Sequence, residues 1–257
     1  MLTASERATI KQQDKSASQF MLRCYGADEY TNGKIRYCFW INDDNLKVAR
    51  ELPTLPNRLA EVAKARLGSP KPATKKGAAW PHRFEEVKQT GSEVVTIIPK
   101  LTSERRSNIP AGLLPSKTIV TDLAFAMYDA PLWCLSIINS KLHFVWIATV
   151  CGKFKKDYRY SNVLGWNTFP VPILTEQNRS DLARMAQEIL LVRESHFPAT
   201  LAELYDPQSM PSNLREAHLR NDETLERIYI GRRFKNDTER LEKLFEMYTK
   251  MTAKDSE

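Results

Sequence analysis

The segment 153–160 carries the densest combination of charged and aromatic side chains in the sequence. It reads Lys-Phe-Lys-Lys-Asp-Tyr-Arg-Tyr and directly follows Gly152. Lysine donates to guanine O6 and N7, and aspartate accepts from cytosine N4, so Lys155 and Asp157 together suit a G·C pair. On a single strand, Lys155, Asp157 and Arg159 would share one face. The alternative, which the residue pattern alone favours, is a solvated surface strand with a local salt bridge.

Two further clusters have the chemistry to hold phosphates. In 102–108, Thr-Ser-Glu-Arg-Arg-Ser-Asn, Arg105 and Arg106 are the candidate donors and the hydroxyl groups assist them. The alternative for this segment is a basic loop, or an internal ion pair with Glu104. The segment 68–79 is predicted to be a mobile basic loop, a feature common in proteins of many functions. Its basic residues are Lys71, Lys75 and Lys76.

The residue patterns of common catalytic sites are missing from the sequence. There is no Pro-Pro dipeptide, which excludes the Asn/Asp-Pro-Pro-aromatic motif of amino methyltransferases. Gly-rich nucleotide loops, the H-E-x-x-H metal motif and the G-x-S-x-G elbow are also absent. Glu86-Val87-Lys88 is similar to the end of a nuclease motif, but no aspartate precedes it at close range. The sequence therefore favours a binding module over an enzyme.

Charge is distributed unevenly along the chain. The net charge is +7, yet residues 1–172 hold 25 Lys and Arg against 15 Asp and Glu, whereas 173–257 hold 13 against 16. A basic first part indicates a polyanionic partner. No apolar run reaches the roughly 20 residues that a membrane span needs, and the polar N-terminus does not resemble a secretory signal. The four cysteines form no C-x-x-C pair, so we expect reduced core residues in a cytoplasmic protein.

The secondary structure predicted around these residues is mixed in the first part of the chain and helical in the second. Strands are predicted at 20–25, 35–41 and 93–98, with a tight hairpin turn at Asn32-Gly33 and a short helix or linker over 3–19. A helix is predicted over 57–67, and one or two helices over 131–150. After Pro172 the pattern is helical, with Thr175 as the first cap and three amphipathic helices. The fold class is therefore α+β: a mixed, largely antiparallel β domain followed by a small all-helical bundle.

Several segments together resemble one protein family in the right order. The most specific is Cys-Gly-Lys-Phe-Lys-Lys-Asp-Tyr-Arg-Tyr-Ser at 151–161. The others are 2–6, 25–41, 98–106, 140–146, 167–170, 204–211 and 238–241. This combination resembles the C-terminal part of MmeI-type (type IIL) restriction–modification enzymes, which join a DNA adenine methyltransferase and an endonuclease in one chain.

The resemblance implies a DNA target recognition domain over 1–172 and a C-terminal helical domain over 173–257. Within the first, 1–19 would be the linker from a methyltransferase domain that this sequence lacks. In the family, residues three and five positions after the glycine of the specific motif help to select one base pair. Lys155 and Asp157 occupy those positions, and Arg159 matches a further specificity residue. The sequence departs from its relatives at Lys153, often arginine, and at Gly165-Trp166, often a Val-Tyr-like pair.

The implied function is sequence-specific recognition of double-stranded DNA for an adenine-N6 methyltransferase. The implied phosphate-binding residues are Ser103, Arg105, Arg106, Lys153 and Lys156. The chain would not be an enzyme on its own. S-adenosylmethionine (SAM), and Mg for any nuclease, would bind in the absent domains, which would be its partners besides DNA. We expect an excised domain, a split subunit or a remnant. The alternative is a stand-alone DNA-binding or protein-interaction module without a catalytic partner.

Overall fold

The computed structural model of the protein describes residues 1–254. The helices are α1 (Ala4–Gln13), α2 (Ala27–Thr31), α3 (Leu46–Glu51), α4 (Leu55–Leu67), α5 (Pro72–Lys76), α6 (Leu132–Ile138), α7 (Lys141–Val150), α8 (Glu176–Glu194), α9 (Leu201–Leu204), α10 (Ser212–Ile230) and α11 (Asp237–Lys254). The strands are β1 (Leu2–Thr3), β2 (Met21–Tyr25), β3 (Arg36–Phe39), β4 (Val95–Pro99), β5 (Leu101–Thr102), β6 (Gly112–Leu114), β7 (Thr118–Val120), β8 (Ala124–Tyr128), β9 (Lys153–Phe154) and β10 (Asp157–Arg159). This confirms the predicted α+β class, with sheets in the first part and helices in the second.

The chain folds into two compact units, and each of them contains separate segments of the N-terminal half. The first unit is made of 1–25, 34–93 and 115–121. The second unit is made of 26–33, 94–114 and the chain from 122 onward. Residues on both sides of the predicted boundary at Pro172 thus belong to one compact unit.

The first unit contains a four-stranded sheet in the order β1–β3–β2–β7. β1 and β2 both pair antiparallel with β3, and β7 pairs with β2 in parallel. The short helix predicted within 3–19 is confirmed, and it begins at a capping box formed by Thr3 and Glu6. One buried cluster is made of Leu2, Ile10, Ala17 and Met21. The stretch predicted as a linker therefore contributes a strand, a helix and core side chains to this unit.

The predicted two-residue turn at Asn32-Gly33 is wrong. The residues before it form α2, because the Glu29 carboxylate accepts from the Gly26 N–H (2.9 Å) and caps the helix start. Asn32 is the C-terminal cap, and Gly33, with φ +67°, takes the left-handed conformation that ends many helices. The predicted strands on either side, β2 and β3, do pair antiparallel.

The segment 68–79 is also more regular than the predicted mobile loop. It contains α5, with Pro72 at its first position, and a 3-10 turn. Arg66, at the end of α4, fixes this region because its planar guanidinium donates to several backbone carbonyls at once. The acceptors are the carbonyl oxygens of Gly77 (2.8 Å), Trp80 (3.0 Å) and Arg83 (2.7 Å).

The second unit contains two three-stranded antiparallel sheets, in the orders β6–β4–β8 and β5–β10–β9. The apolar segment 131–150 forms two helices, α6 and α7, which meet at 59°. Ser140 begins α7 by accepting from the His143 N–H (3.1 Å). No single helix within residues 1–254 is long and apolar enough to cross a membrane. The bent pair α6–α7 would have the length, but its apolar side chains are buried in the core of this unit.

The predicted helices after Pro172 are confirmed as α8, α10 and α11. Thr175 caps α8 through the Asn178 N–H (3.1 Å), as expected. Their apolar faces pack with α7 around Trp146, which is almost completely buried. The other fully buried side chains of this cluster include Leu182, Leu225 and Leu244.

A buried polar network joins α8, α10 and the residue before β6. The Arg193 guanidinium, 7% exposed, donates to Tyr205 Oη (2.7 Å) and to the Ala111 carbonyl (2.6 Å). Tyr205 Oη in turn lies 2.7 Å from His218 Nε2. Burial lowers the pKa of His218 to about 3, so the ring is neutral at pH 7 and Nε2 can accept from the tyrosine. The network holds Tyr205 and its neighbour Asp206 in place.

We predict that Tyr205→Phe lowers the free energy of unfolding by about 1–3 kcal/mol, because it removes an acceptor from a buried guanidinium. Urea denaturation followed by circular dichroism measures the change. Tyr248→Phe, which removes a hydroxyl from α11 outside this network, is the control. Equal stability of Tyr205→Phe and the wild type would contradict this account of the network.

Candidate nucleic-acid interface

The segment 153–160 forms a hairpin rather than one strand. β9 and β10 pair antiparallel, with Phe154 opposite Asp157 and Lys153 opposite Tyr158. The chain reverses at Lys155 and Lys156, between the two strands. The expectation that Lys155 shares a strand face with Asp157 and Arg159 is therefore wrong, because Lys155 lies in the turn; the other two residues do share a face.

The turn holds Lys155 in a strained conformation. Its φ is +56°, in the left-handed region, whereas Lys156 is outside that region. A positive φ at the first of two central residues is the pattern of a type II′ hairpin turn, which favours glycine at that position. A residue with a Cβ there costs roughly 1 kcal/mol. Strain of this kind concentrates at functional sites, and here it places an exposed amine at the tip of the hairpin.

The hairpin has two chemically different faces, because paired residues lie on the same side of a sheet. β5 extends the sheet, with Leu101 opposite Arg159 and Thr102 opposite Tyr158. The inner face packs on the unit through Tyr158, whose ring meets Phe144 edge-on with centroids 5.4 Å apart. We call the opposite side the outer face; it consists of Phe154, Asp157, Arg159 and Leu101. Arg159 is exposed and Asp157 is half-buried.

Tyr160 anchors the base of the hairpin. Its ring is buried, its N–H donates to the Lys100 carbonyl (2.9 Å), and its hydroxyl lies 3.0 Å from His143 Nε2. Burial lowers the pKa of His143 to about 3, so the ring stays neutral at pH 7 and acts as part of the core. The Arg159 N–H donates to the Gly152 carbonyl (2.9 Å), which closes the hairpin. The outer face is therefore carried by a rigid scaffold.

The cluster 102–108 lies beside the hairpin, because β5 pairs with β10. After β5 the chain turns, and Ser103 accepts through its carbonyl from the Arg106 N–H (3.1 Å) and through Oγ from the Arg105 N–H (3.3 Å). The structure thus brings two of the three predicted clusters together. They lie 50 residues apart in the sequence, and only the strand pairing makes them neighbours.

Arg105 and Arg106 have acidic neighbours that the sequence did not indicate. The exposed Arg105 guanidinium lies 3.7 Å from the Asp206 carboxylate. Arg106 is half-buried, and burial lowers its pKa, while the negative charges of Asp157 and Asp206 oppose that shift. Asp206 comes from the segment after α9, about 100 residues away, and no local pattern links it to the arginines.

The remaining predicted residues differ in their surroundings. Lys156 is exposed in the turn. Lys153 lies on the inner face, with its ammonium 4.7 Å from the Tyr158 ring centroid and 3.9 Å from the Glu104 carboxylate. The exposed lysines of α5 belong to the first unit, which holds 17 Lys and Arg against 9 Asp and Glu. The second unit, with 21 against 22 over its full sequence, is nearly neutral.

The cysteines and metal-ligating residues form no centre in the described part of the chain. All four cysteines are buried thiols and none lies in a disulfide, as expected for core residues. Burial raises the pKa of the Cys134 thiol to about 11, which makes it unreactive at neutral pH. Within residues 1–254, no group of three or more His, Cys, Asp or Glu side chains is placed to hold a metal ion.

A charged hairpin of this kind has a shape that the major groove of B-DNA can accept, since that groove admits a two-stranded β-ribbon. Comparison with known proteins gives the family. Residues 1–173 match the family model of the MmeI target recognition domain, and 174–254 match that of the MmeI C-terminal domain. The chain therefore belongs to the MmeI family, of which it carries these two domains in this order.

Two relatives extend well beyond this chain. DNA methyltransferase A of Bacillus subtilis (strain 168) is 37% identical over 229 residues, which cover 89% of this chain and 26% of the relative. A solved structure of the Type IIL restriction-modification enzyme MmeI in complex with DNA superposes with a TM-score of 0.91 at 29% identity. That match covers 98% of this chain and 34% of the solved chain. The chain thus spans about a quarter to a third of these relatives.

We predict that Lys155→Gly raises the free energy of unfolding by about 1 kcal/mol, because glycine adopts the left-handed conformation without strain. Thermal or urea denaturation measures the gain. Lys156→Gly is the matched control, since it removes the same charge from the same turn at a residue without a positive φ. Equal free energies of unfolding for the two variants would contradict the claim that the positive φ of Lys155 strains the turn.

Proposed function

We propose that this chain recognises a specific sequence of double-stranded DNA as the target recognition part of a DNA adenine-N6 methyltransferase or restriction–modification enzyme. The observation that carries the proposal is the outer face of the hairpin, on which the half-buried Asp157 and the exposed Arg159 lie beside the Ser103–Arg106 turn. Membership of the MmeI family supports it, as do a relative named as a DNA methyltransferase and a relative solved in complex with DNA.

The hairpin reads bases from the major groove. A two-stranded ribbon fits that groove, and the outer face turns an acceptor and a donor toward the base edges. Asp157 accepts from the N4 amino group of cytosine, and Lys155, at the tip, donates to O6 and N7 of the paired guanine. Arg159, two residues along β10, lies on the same side and donates to a neighbouring base. Rigid anchoring by Tyr160 keeps these groups in register with the base pairs.

The turn beside the hairpin holds the phosphate backbone. Arg105 is exposed, and its 3.7 Å pair with Asp206 is worth little in water, so a phosphate can replace that partner. Arg106 and the Ser103 hydroxyl lie in the same turn, and Lys156 adds a charge from the hairpin tip. Lys153 contributes through its charge at longer range, because it already meets Glu104 and the Tyr158 ring.

Catalysis belongs to another part of the enzyme, and this chain has no activity of its own. The absence of the Asn/Asp-Pro-Pro-aromatic motif of amino methyltransferases from this sequence supports that division of labour. A methyltransferase part, and a nuclease where present, supply those sites and are the protein partners. The four buried thiols fit a reducing cytoplasm.

We predict that Lys155→Glu combined with Asp157→Arg changes the preferred base at one position and leaves overall affinity within about threefold, because the net charge is conserved. Selection from a randomised duplex pool, at low and then near-physiological salt, measures both properties. Glu246→Lys with Lys250→Glu, a charge exchange on α11, is the control and should keep the wild-type motif. A loss of affinity equal for all sequences would contradict base reading by this pair.

Phosphate contacts give a different signature. Arg105→Ala and Arg106→Ala should each weaken binding to every sequence alike and reduce the slope of log K against log[salt] by about 1. Titrations of the selected duplex and of a scrambled duplex at several salt concentrations test this. Arg179→Ala, which removes an exposed arginine from α8, is the matched control. An unchanged slope combined with a changed base preference would assign these arginines to base reading instead.

A further inference from the structure

The outer face carries two apolar side chains that the base-reading chemistry leaves unexplained. Phe154 is 54% exposed and Leu101 is 41% exposed. Each stands opposite one of the charged residues in the sheet: Phe154 is paired with Asp157, and Leu101 with Arg159. On the outer face, the two charged residues of the central strand β10 are therefore flanked by one apolar side chain on each neighbouring strand, Leu101 on β5 and Phe154 on β9.

Packing does not account for Phe154. The aromatic residue of the hairpin that packs on the core is Tyr158, whose ring contacts Phe144 on the inner face. Phe154 lies on the other side of β9, because neighbouring residues of a strand alternate in direction. An aromatic ring in this place costs solubility and contributes little burial in the free chain, so its role is expected in a complex.

The major groove offers one pronounced apolar group, the C5 methyl of thymine, and phenylalanine is among the side chains that contact it. Directly opposed residues in an antiparallel pair have Cβ atoms about 5 Å apart. A side chain at Phe154 thus reaches the base pair read by Asp157 or the pair next to it, which is about 3.4 Å away along the DNA axis. The carboxylate of Asp157 accepts hydrogen bonds and cannot recognise a methyl group, so the two side chains have complementary tasks.

We propose that Phe154 is a further specificity-determining residue, which selects thymine next to the base pair contacted by Asp157 by burying the thymine C5 methyl. This inference rests on the proposed function, since it requires the hairpin to lie in the major groove. It adds an apolar side chain to the proposed base-contacting residues, which otherwise are all charged.

The test uses duplexes in which single thymines are replaced by deoxyuridine, which removes only the methyl group. The 257-residue chain first selects its motif from a randomised pool, and each thymine of that motif is then replaced in turn. At one thymine, next to the position that responds to exchange of Lys155 and Asp157, deoxyuridine should weaken wild-type binding about fourfold, the factor expected for burying one methyl group. Phe154→Ala should bind the two duplexes equally and still prefer the same base at the Asp157 position.

Controls separate this role from a general effect on folding or binding. Phe197→Ala removes an aromatic ring that is 84% exposed on the same unit, and should keep the discrimination between thymine and deoxyuridine. Phe154→Gln keeps much of the side-chain volume and should lose the discrimination as Phe154→Ala does. Thermal unfolding of all three variants should match the wild type, because both phenylalanines are exposed.

The outcomes distinguish this inference from the function on which it rests. A selected motif without a methyl-sensitive thymine beside the Asp157 position overturns the role of Phe154 and leaves DNA reading intact. Retained discrimination in Phe154→Ala, or a loss of affinity equal for every sequence, also overturns it. Failure of the wild-type chain to select any motif overturns the proposed function, and this inference with it.

Discussion

The candidate interface depends on the alternation of side chains along β10 and the residue that follows it. Tyr158 and Tyr160 point into the second unit, where one meets Phe144 and the other is buried beside His143. Because a strand alternates with a period of two, burial of these rings forces Asp157 and Arg159 outward. A slip of one residue would bury two charges and expose two aromatic rings, at a cost of many kcal/mol. The fold thereby fixes which side chains face solvent, and in what order.

The hairpin also shows where stability is given up. Glycine at position 155 would satisfy the turn, yet the chain has a lysine there with a positive φ. Arg106 is half-buried, and burial lowers its pKa while the negative charges of Asp157 and Asp206 oppose that shift. The positive φ of Lys155 and the partial burial of the Arg106 charge each carry a cost in the isolated chain. Both place charge within the small area that the proposed function assigns to base edges and phosphates.

Local pattern was sufficient for the elements whose determinants are close in sequence. The cap at Thr175, the amphipathic face of α8 and the helix over 57–67 follow from spacing, and the structure confirms them. Prediction failed where another interaction outweighed a local preference. Asn32-Gly33 favours a turn, but the Glu29 carboxylate starts a helix just before it. The segment 68–79 lacks an apolar face; it forms a short helix and a 3-10 turn, and the Arg66 guanidinium braces its end at Gly77 and the chain that follows at Trp80 and Arg83.

The candidate site was located by composition and by resemblance, but its geometry was not predictable from them. Lys-Lys carries none of the Gly, Asn or Asp residues that mark a hairpin turn, so 153–160 looks like one strand. The pairing of β10 with β5, and the pair between Arg105 and Asp206, join residues far apart in the chain. Only these long-range contacts bring the separate basic clusters together beside the outer face of the hairpin.

Under the proposed function, the distribution of charge between the units favours selective over tight general binding of DNA. The unit that carries the hairpin is nearly neutral, while the excess of Lys and Arg lies in the first unit. Phosphate attraction is independent of sequence and grows with each neutralised charge, so a strongly basic reading surface would hold wrong sites almost as well as the right one. A reading surface with acids among its arginines binds weakly until the base-edge contacts are made. In the proposed complex, discrimination then rests on hydrogen bonds and apolar contacts that only the correct sequence completes.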